Sequence, residues 1–176
     1  MSSNQEIIKN LVGKHPGLRF HEIKKETKLA NGTLQHHLAQ LTKSNDLKSK
    51  YIDTIPRYYI YNLEDANQII LLRLRQTTTS KIIKSILKNE CQTFAQLVKS
   101  SKKSPGTVSI YKNMLLEDNI IVGDTNSCKC SKGITATRIK YRLVDPEKVH
   151  MLVEEYGKST LKQSADNLAD VFLSLK

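Results

Sequence analysis

A chain of 176 residues and about 20 kDa has room for one ordinary domain or two small ones. Twenty-eight Lys and Arg against seventeen Asp and Glu give a formal charge of +11, and 39% hydrophobic with 26% charged residues excludes a disordered tail. No apolar run approaches the roughly 18 residues that a membrane-spanning helix needs.

The start at Met1, Ser2 and Ser3 lacks the basic-then-apolar pattern of a signal peptide. Three cysteines, an odd number, give no disulfide framework. Both features point to a reducing cytoplasm. The basic excess is uneven: residues 1–76 carry net +5, residues 77–145 net +7 and residues 146–176 net −1. A basic body with a neutral tail suggests a polyanionic partner, or a surface charged for solubility alone.

In chain order, Ile7, Ile8 and Leu11 mark a short first helix, stopped by His15, Pro16 and Gly17. An extended piece, Leu18 to Phe20, leads into a second helix with Ile23 inward. A turn at Lys28–Ala30 precedes a third helix over 31–43, with Leu34, Leu38 and Leu41 on one stripe. The period then changes to two across Arg57–Tyr61. There Tyr58 and Ile60 are expected inward, and Arg57, Tyr59 and Tyr61 outward.

Residues 64–76 are apolar around most of a helical circumference. They predict a linking helix that is buried or sits at a dimer interface. The same order then recurs. Glu6–Leu11 matches Lys81–Ile86 at a spacing of 75. Phe20–Ile23 matches Phe94–Leu97, and Gly32–Leu34 matches Gly106–Val108, both at 74. Ser104 followed by Pro105 is a strong helix start, and Arg138–Leu143 alternates cleanly. The second hairpin is about seven residues longer than the first. In the tail, Leu161, Ala165, Leu168, Phe172 and Leu175 space as a two-heptad seam, suited to docking or dimerisation.

Helix, short strand, helix, turn, helix and hairpin is the winged helix-turn-helix order. The stretch His15–Ile23, then Leu29–Leu38, then Leu41, resembles the first domain of archaeal tandem winged-helix transcription regulators. The resemblance covers residues 5–62 well and 79–144 more weakly. It implies DNA binding, usually as a dimer, with transcription as the output.

The fold expected is therefore mainly α with small β-wings: two tandem winged helix-turn-helix domains joined by a helix, plus C-terminal helices. The domains expected are 1–63, a linker helix over 64–78, 79–145, and a tail over 146–176.

In such a fold the third helix enters the major groove. With its leucines buried, Asn31, Thr33, Gln35, His36, Gln40 and Lys43 face outward. Gln pairs with adenine, Thr and Asn with base edges or phosphates, and Lys43 with phosphate. His37 faces partly inward. A solvated helix face is the plain alternative.

In the second unit Leu29, Leu38 and His36 correspond to Lys103, Lys112 and Ile110. Either that core packs differently or the register slips by one. Its outward set is Thr107, Ser109, Ile110 and Asn113. On the wings, Arg57 and the basic face Arg138, Lys140 and Arg142 suit phosphates, while Ile139, Tyr141 and Leu143 close the core.

Cys128 and Cys130 are weak metal candidates: structural zinc needs four ligands, and Cys91 has no evident reason to approach. No phosphate loop or catalytic motif is present, so no enzyme and no cofactor are expected. The partner expected is double-stranded DNA, bound as a homodimer in the cytoplasm at the nucleoid, with no membrane and no named effector. A protein-assembly module and a chromatin-like non-specific DNA binder stay open as alternatives.

Overall fold

The computed structural model describes residues 3–52, 54–124 and 139–156. The chain divides into two compact units, Met1–Leu71 and Leu72–Lys176.

The first unit runs α1 (Ser3–Lys14), β1 (Leu18–Arg19), α2 (Phe20–Thr27), α3 (Asn31–Lys43), β2 (Leu47–Ile52) and β3 (Ile55–Ile60). The three strands form an antiparallel sheet in the order β1-β3-β2. Ile8 and Val12 of α1, Ile23 of α2, and Leu34, Leu38 and Leu41 of α3 close one core with Leu18 and Leu47. In α1 the buried stripe is the i, i+4 pair Ile8 and Val12, while Ile7 is about half exposed.

The second unit follows the same order: α5 (Thr77–Lys88), β4 (Gln92–Thr93), α6 (Phe94–Ser101), α7 (Pro105–Glu117), β5 (Ile121–Asp124) and β6 (Lys140–Leu143). Its sheet is β4-β6-β5. Each of the first five elements begins 74 residues after its counterpart, the first helix included. The 75-residue match of the first helices is thus corrected: at 74, Ile82 and Ile86 fall on Ile8 and Val12, and all four are buried. The left-handed residues repeat too, Lys28 with Lys102 and Asn45 with Asn119.

The hairpins differ. Leu47 pairs with Ile60, and Ile121 with Leu143. The spacing therefore rises from 74 on the outgoing strand to 83 on the return strand. The second hairpin is nine residues longer, not seven.

The linker helix expected over 64–78 is shorter: α4 runs Asp65–Arg75. Gln76 takes an extended backbone, and a new helix starts at Thr77. The Thr79 hydroxyl donates to the Arg73 and Gln76 carbonyls across this break. Arg73 is held by Asp118 at 2.5 Å.

Residues 146–156 are helical, with Val149, Leu152 and Tyr156 buried. The heptad seam from Leu161 to Leu175 lies outside the described residues, as do Cys128, Cys130 and Arg138. Cys91 is disulfide-bonded, which corrects the reading of it as a cysteine with no reason to approach another. Among the described residues no helix is long and apolar enough to cross a membrane.

The lysines at apolar positions of the second unit are a matter of packing, not of register. Lys112 lies half-buried, with Nζ 5.9 Å from the Phe94 ring centroid and 5.3 Å from that of Tyr141. Two aromatic faces accept the charge where Leu38 fills the first core. Lys103 is exposed.

Asp46 fixes the first unit's turn from α3 into the hairpin. Its carboxylate accepts from Lys9 of α1 at 2.5 Å and from the Ser44 hydroxyl at 2.6 Å. Its backbone N–H donates to the Leu41 carbonyl, and its carbonyl accepts from Tyr61 N–H. The bonds from Lys9 and then Ser44 hold the carboxyl below its ordinary 3.8. A lowered folded-state value contributes stability at neutral pH that is lost as pH falls through that range. Asp46→Asn should therefore unfold at a lower temperature than the parent at pH 7. The gap should close on acidification below about pH 4, in thermal melts across a pH series. A gap that does not change with pH would refute the carboxylate's part.

Candidate nucleic-acid interface

The region from Phe20 to Lys43 is two helices around a three-residue turn. At the start of α2, Arg19 N–H donates to Glu22 Oε2 at 2.7 Å. The helix closes in a left-handed Lys28, whose N–H reaches the Lys24 carbonyl. The next helix opens after Ala30, which has no side-chain oxygen to cap it. The first amides of α3 are left for an outside acceptor or water.

Burial of Leu34, Leu38 and Leu41 fixes the rotation of α3. Asn31, Thr33, Gln35, His36, Ala39, Gln40 and Lys43 are then all exposed. His37 is half-buried, its ring 5.7 Å from that of His36. Gln40 is partly engaged: its Oε1 accepts from Gln5 at 2.7 Å. Gly32 sits one residue into the helix, and a Cβ there would meet nothing within 4 Å.

Beside α3 lies a groove of about 700 Å³. Phe20, Leu38 and Tyr58 line it with apolar surface. Gln35, Ala39, Thr42 and Lys43 come from the helix, and Ser49 and Pro56 from the hairpin. Burial raises the Tyr58 phenol above its ordinary value, with a further push from Tyr51. Tyr51 is 71% exposed near the hairpin's tip. Ser49 and Tyr51 were missed in the sequence. The signal was the cross-strand register, which sets Ser49 against Tyr58 and Tyr51 against Pro56.

The expectation for β3 is corrected. Tyr58 and Ile60 do pack against the core. Arg57 and Tyr59, expected outward, are buried as well, at 7% and 0% exposure. The turn after α1 makes contact with this second face. Gly17, at φ +82°, donates its N–H to the Tyr58 carbonyl and accepts from Arg57 Nη1 at 2.9 Å. A Cβ on Gly17 would stand 3.2 Å from the Tyr59 ring and hydroxyl. Arg57 therefore ties the turn to the strand and is not a free phosphate contact.

In the second unit, Thr107 is half-buried, and its hydroxyl lies 2.8 Å from that of Ser104, which caps α7. Ser109 is half-buried and Asn113 exposed. Ile110, at the place of His36, is 64% exposed. On β6 Tyr141 and Leu143 are buried, and Lys140 and Arg142 are half-buried on the other face. Ile139, expected in the core, is half exposed just before the strand begins.

Residues 2–71 match a family model described as an N-terminal HTH domain. The match spans the first unit and supports a helix-turn-helix DNA-binding protein. No curated protein matches the chain.

The placement of Arg57 and Lys43 separates two roles. Arg57→Gln should cost about 1–3 kcal/mol of folding stability through the buried contacts it breaks. It should leave the salt dependence of duplex binding unchanged. Lys43→Gln should spare stability and reduce the slope of log affinity against log salt by about one. Denaturant unfolding and a salt titration of DNA binding check both halves. A lower slope for Arg57→Gln would return that residue to the phosphates.

Proposed function

We propose that the chain is a sequence-specific, double-stranded DNA-binding transcriptional regulator of two winged helix-turn-helix units, acting without catalysis. The observation that carries the reading is the exposed face of α3. Every residue there is small or hydrogen-bonding, and of Lys, Arg, Asp and Glu it carries Lys43 alone. In this reading Gln35 and His36 meet base edges, Asn31 and Thr33 sit at the helix start near backbone, and Lys43 holds a phosphate. The strand of DNA beside the helix rests in the groove between α3 and the hairpin. The match to an N-terminal HTH domain and the net +11 support the same partner.

Homodimerisation belongs to the proposal as well. Its support is the spacing of Leu161, Ala165, Leu168, Phe172 and Leu175 in the sequence, together with the two-fold half-sites that dimeric readers use.

Selection from a random duplex pool across a salt series tests the reading. A recovered two-fold site with a steep salt slope is the expected result. Salt-sensitive binding with no recovered site would replace it with an architectural, chromatin-like role. The double variant Gln35→Ala, His36→Ala should keep the fold and lose sequence preference by roughly ten- to a hundred-fold, the worth of one or two base contacts. Retained preference in that variant would remove α3 as the reading helix.

A further inference from the structure

We infer that α7 of the second unit reads an A·T base pair in the major groove, with Ile110 against the thymine methyl and Asn113 on the adenine. This rests on the DNA-binding reading above and extends it to a helix with few groups suited to bases.

Three observations point there. First, one face of α7 is built for close approach. Gly106, Ile110 and Asn113 follow one another at i, i+4 and i+7. A Cβ on Gly106 would meet nothing within 4 Å, so no neighbour requires the glycine. The next turn presents Ile110, 64% exposed, and the one after presents an exposed Asn113. The burial that turns this face outward is that of Val108 and Leu115.

Second, the charge around the face suits a polyanion. Residues 91–116 contain Lys99, Lys102, Lys103 and Lys112, and no Asp or Glu. Lys99, Lys102 and Lys103 are exposed on α6 and in the turn before α7, where phosphates flanking a groove-bound helix would lie. Lys112 is drawn to the Phe94 and Tyr141 rings, and the one charge on the face itself is Glu117, exposed one turn beyond Asn113 at the far end of the helix.

Third, Ile110 and Asn113 together match one base pair. In the major groove thymine presents a methyl group and adenine presents N7 and N6–H₂. An aliphatic side chain covers the first, and a carboxamide pairs with the second. A protein partner would equally bury Ile110. Three exposed lysines, Lys99, Lys102 and Lys103, around the start of the face, against one carboxylate at its far end, nevertheless fit a phosphate backbone better than the mixed charges of a protein rim.

The test uses the full chain and the duplex it selects from a random pool. Each thymine is replaced in turn by uracil, which keeps every hydrogen bond and lacks only the methyl. For the parent protein one replacement should weaken binding roughly three- to five-fold, the worth of one buried methyl group. Ile110→Ala should bind more weakly by a similar factor and be indifferent to that same replacement. Asn113→Ala should lose preference at the same base pair and keep the uracil effect. Thermal melts of both variants should match the parent, since both side chains are exposed.

Several results would overturn the inference. One is no position where uracil matters. Another is an equal uracil effect in the parent and in Ile110→Ala. A third is a fall in oligomeric mass on Ile110→Ala, which would give the face to a second copy. These leave the role of α3 standing if the Gln35 and His36 double variant has lost its preference. A parent protein that binds no duplex would overturn both readings together.

Discussion

The candidate interface rests on the one-sided burial of α3. Three leucines at i, i+4 and i+7 carry it, and each is at most 3% exposed. Their cost of exposure, about 1.5–3 kcal/mol for each such side chain, leaves the helix no freedom to roll. Everything that could touch a ligand follows from that rotation. Gln35 and His36 stand outward because Leu34 and Leu38 cannot. Lys43 clears the protein because Leu41 does not. Asp46 then holds the end of the helix to α1, so its height is fixed as well as its rotation.

A second constraint acts on the hairpin. The central strand of a small antiparallel sheet would ordinarily bury one face and wet the other. Here the turn at Gly17 lies against the other face of β3, with Arg57 and Tyr59 beneath it. The positive φ of Gly17 turns its carbonyl toward the guanidinium and keeps the space that the Tyr59 ring occupies. The hairpin is thereby braced from both sides. The groove beside α3 is a shaped feature of the unit, with one wall on a braced strand.

How much of this could be read from the residues depends on what each pattern encodes. The helical stripe of α3 carries a period and a side, so its outward residues were legible one by one. Alternation in Arg57–Tyr61 separates two faces but does not say which is covered. The cover comes from a turn some forty residues earlier. Hydrophobicity alone makes Lys112 a broken core position, whereas the aromatic faces that receive it arrive from α6 and β6. The first-helix spacing went wrong by one because Ile-Ile pairs align at two registers, and burial favours only one. Gln76 gave no breaker signal, and the hydroxyl of Thr79 that secures the break is a tertiary detail.

The uneven hairpins carry a practical consequence. Five elements keep an invariant 74-residue spacing, because each helix and strand is as long as the surface it must bury. The return strand alone departs from it, by nine residues. Closing a longer loop costs only about 0.6 kcal/mol for each doubling of its length. Loop size at this one corner is thus nearly free, while a single inserted residue anywhere in α2 or α3 would rotate a face by about 100°. The turn between Ile52 and Ile55 is accordingly where a tag or a reporter peptide can be spliced into the first unit without re-aiming its helices.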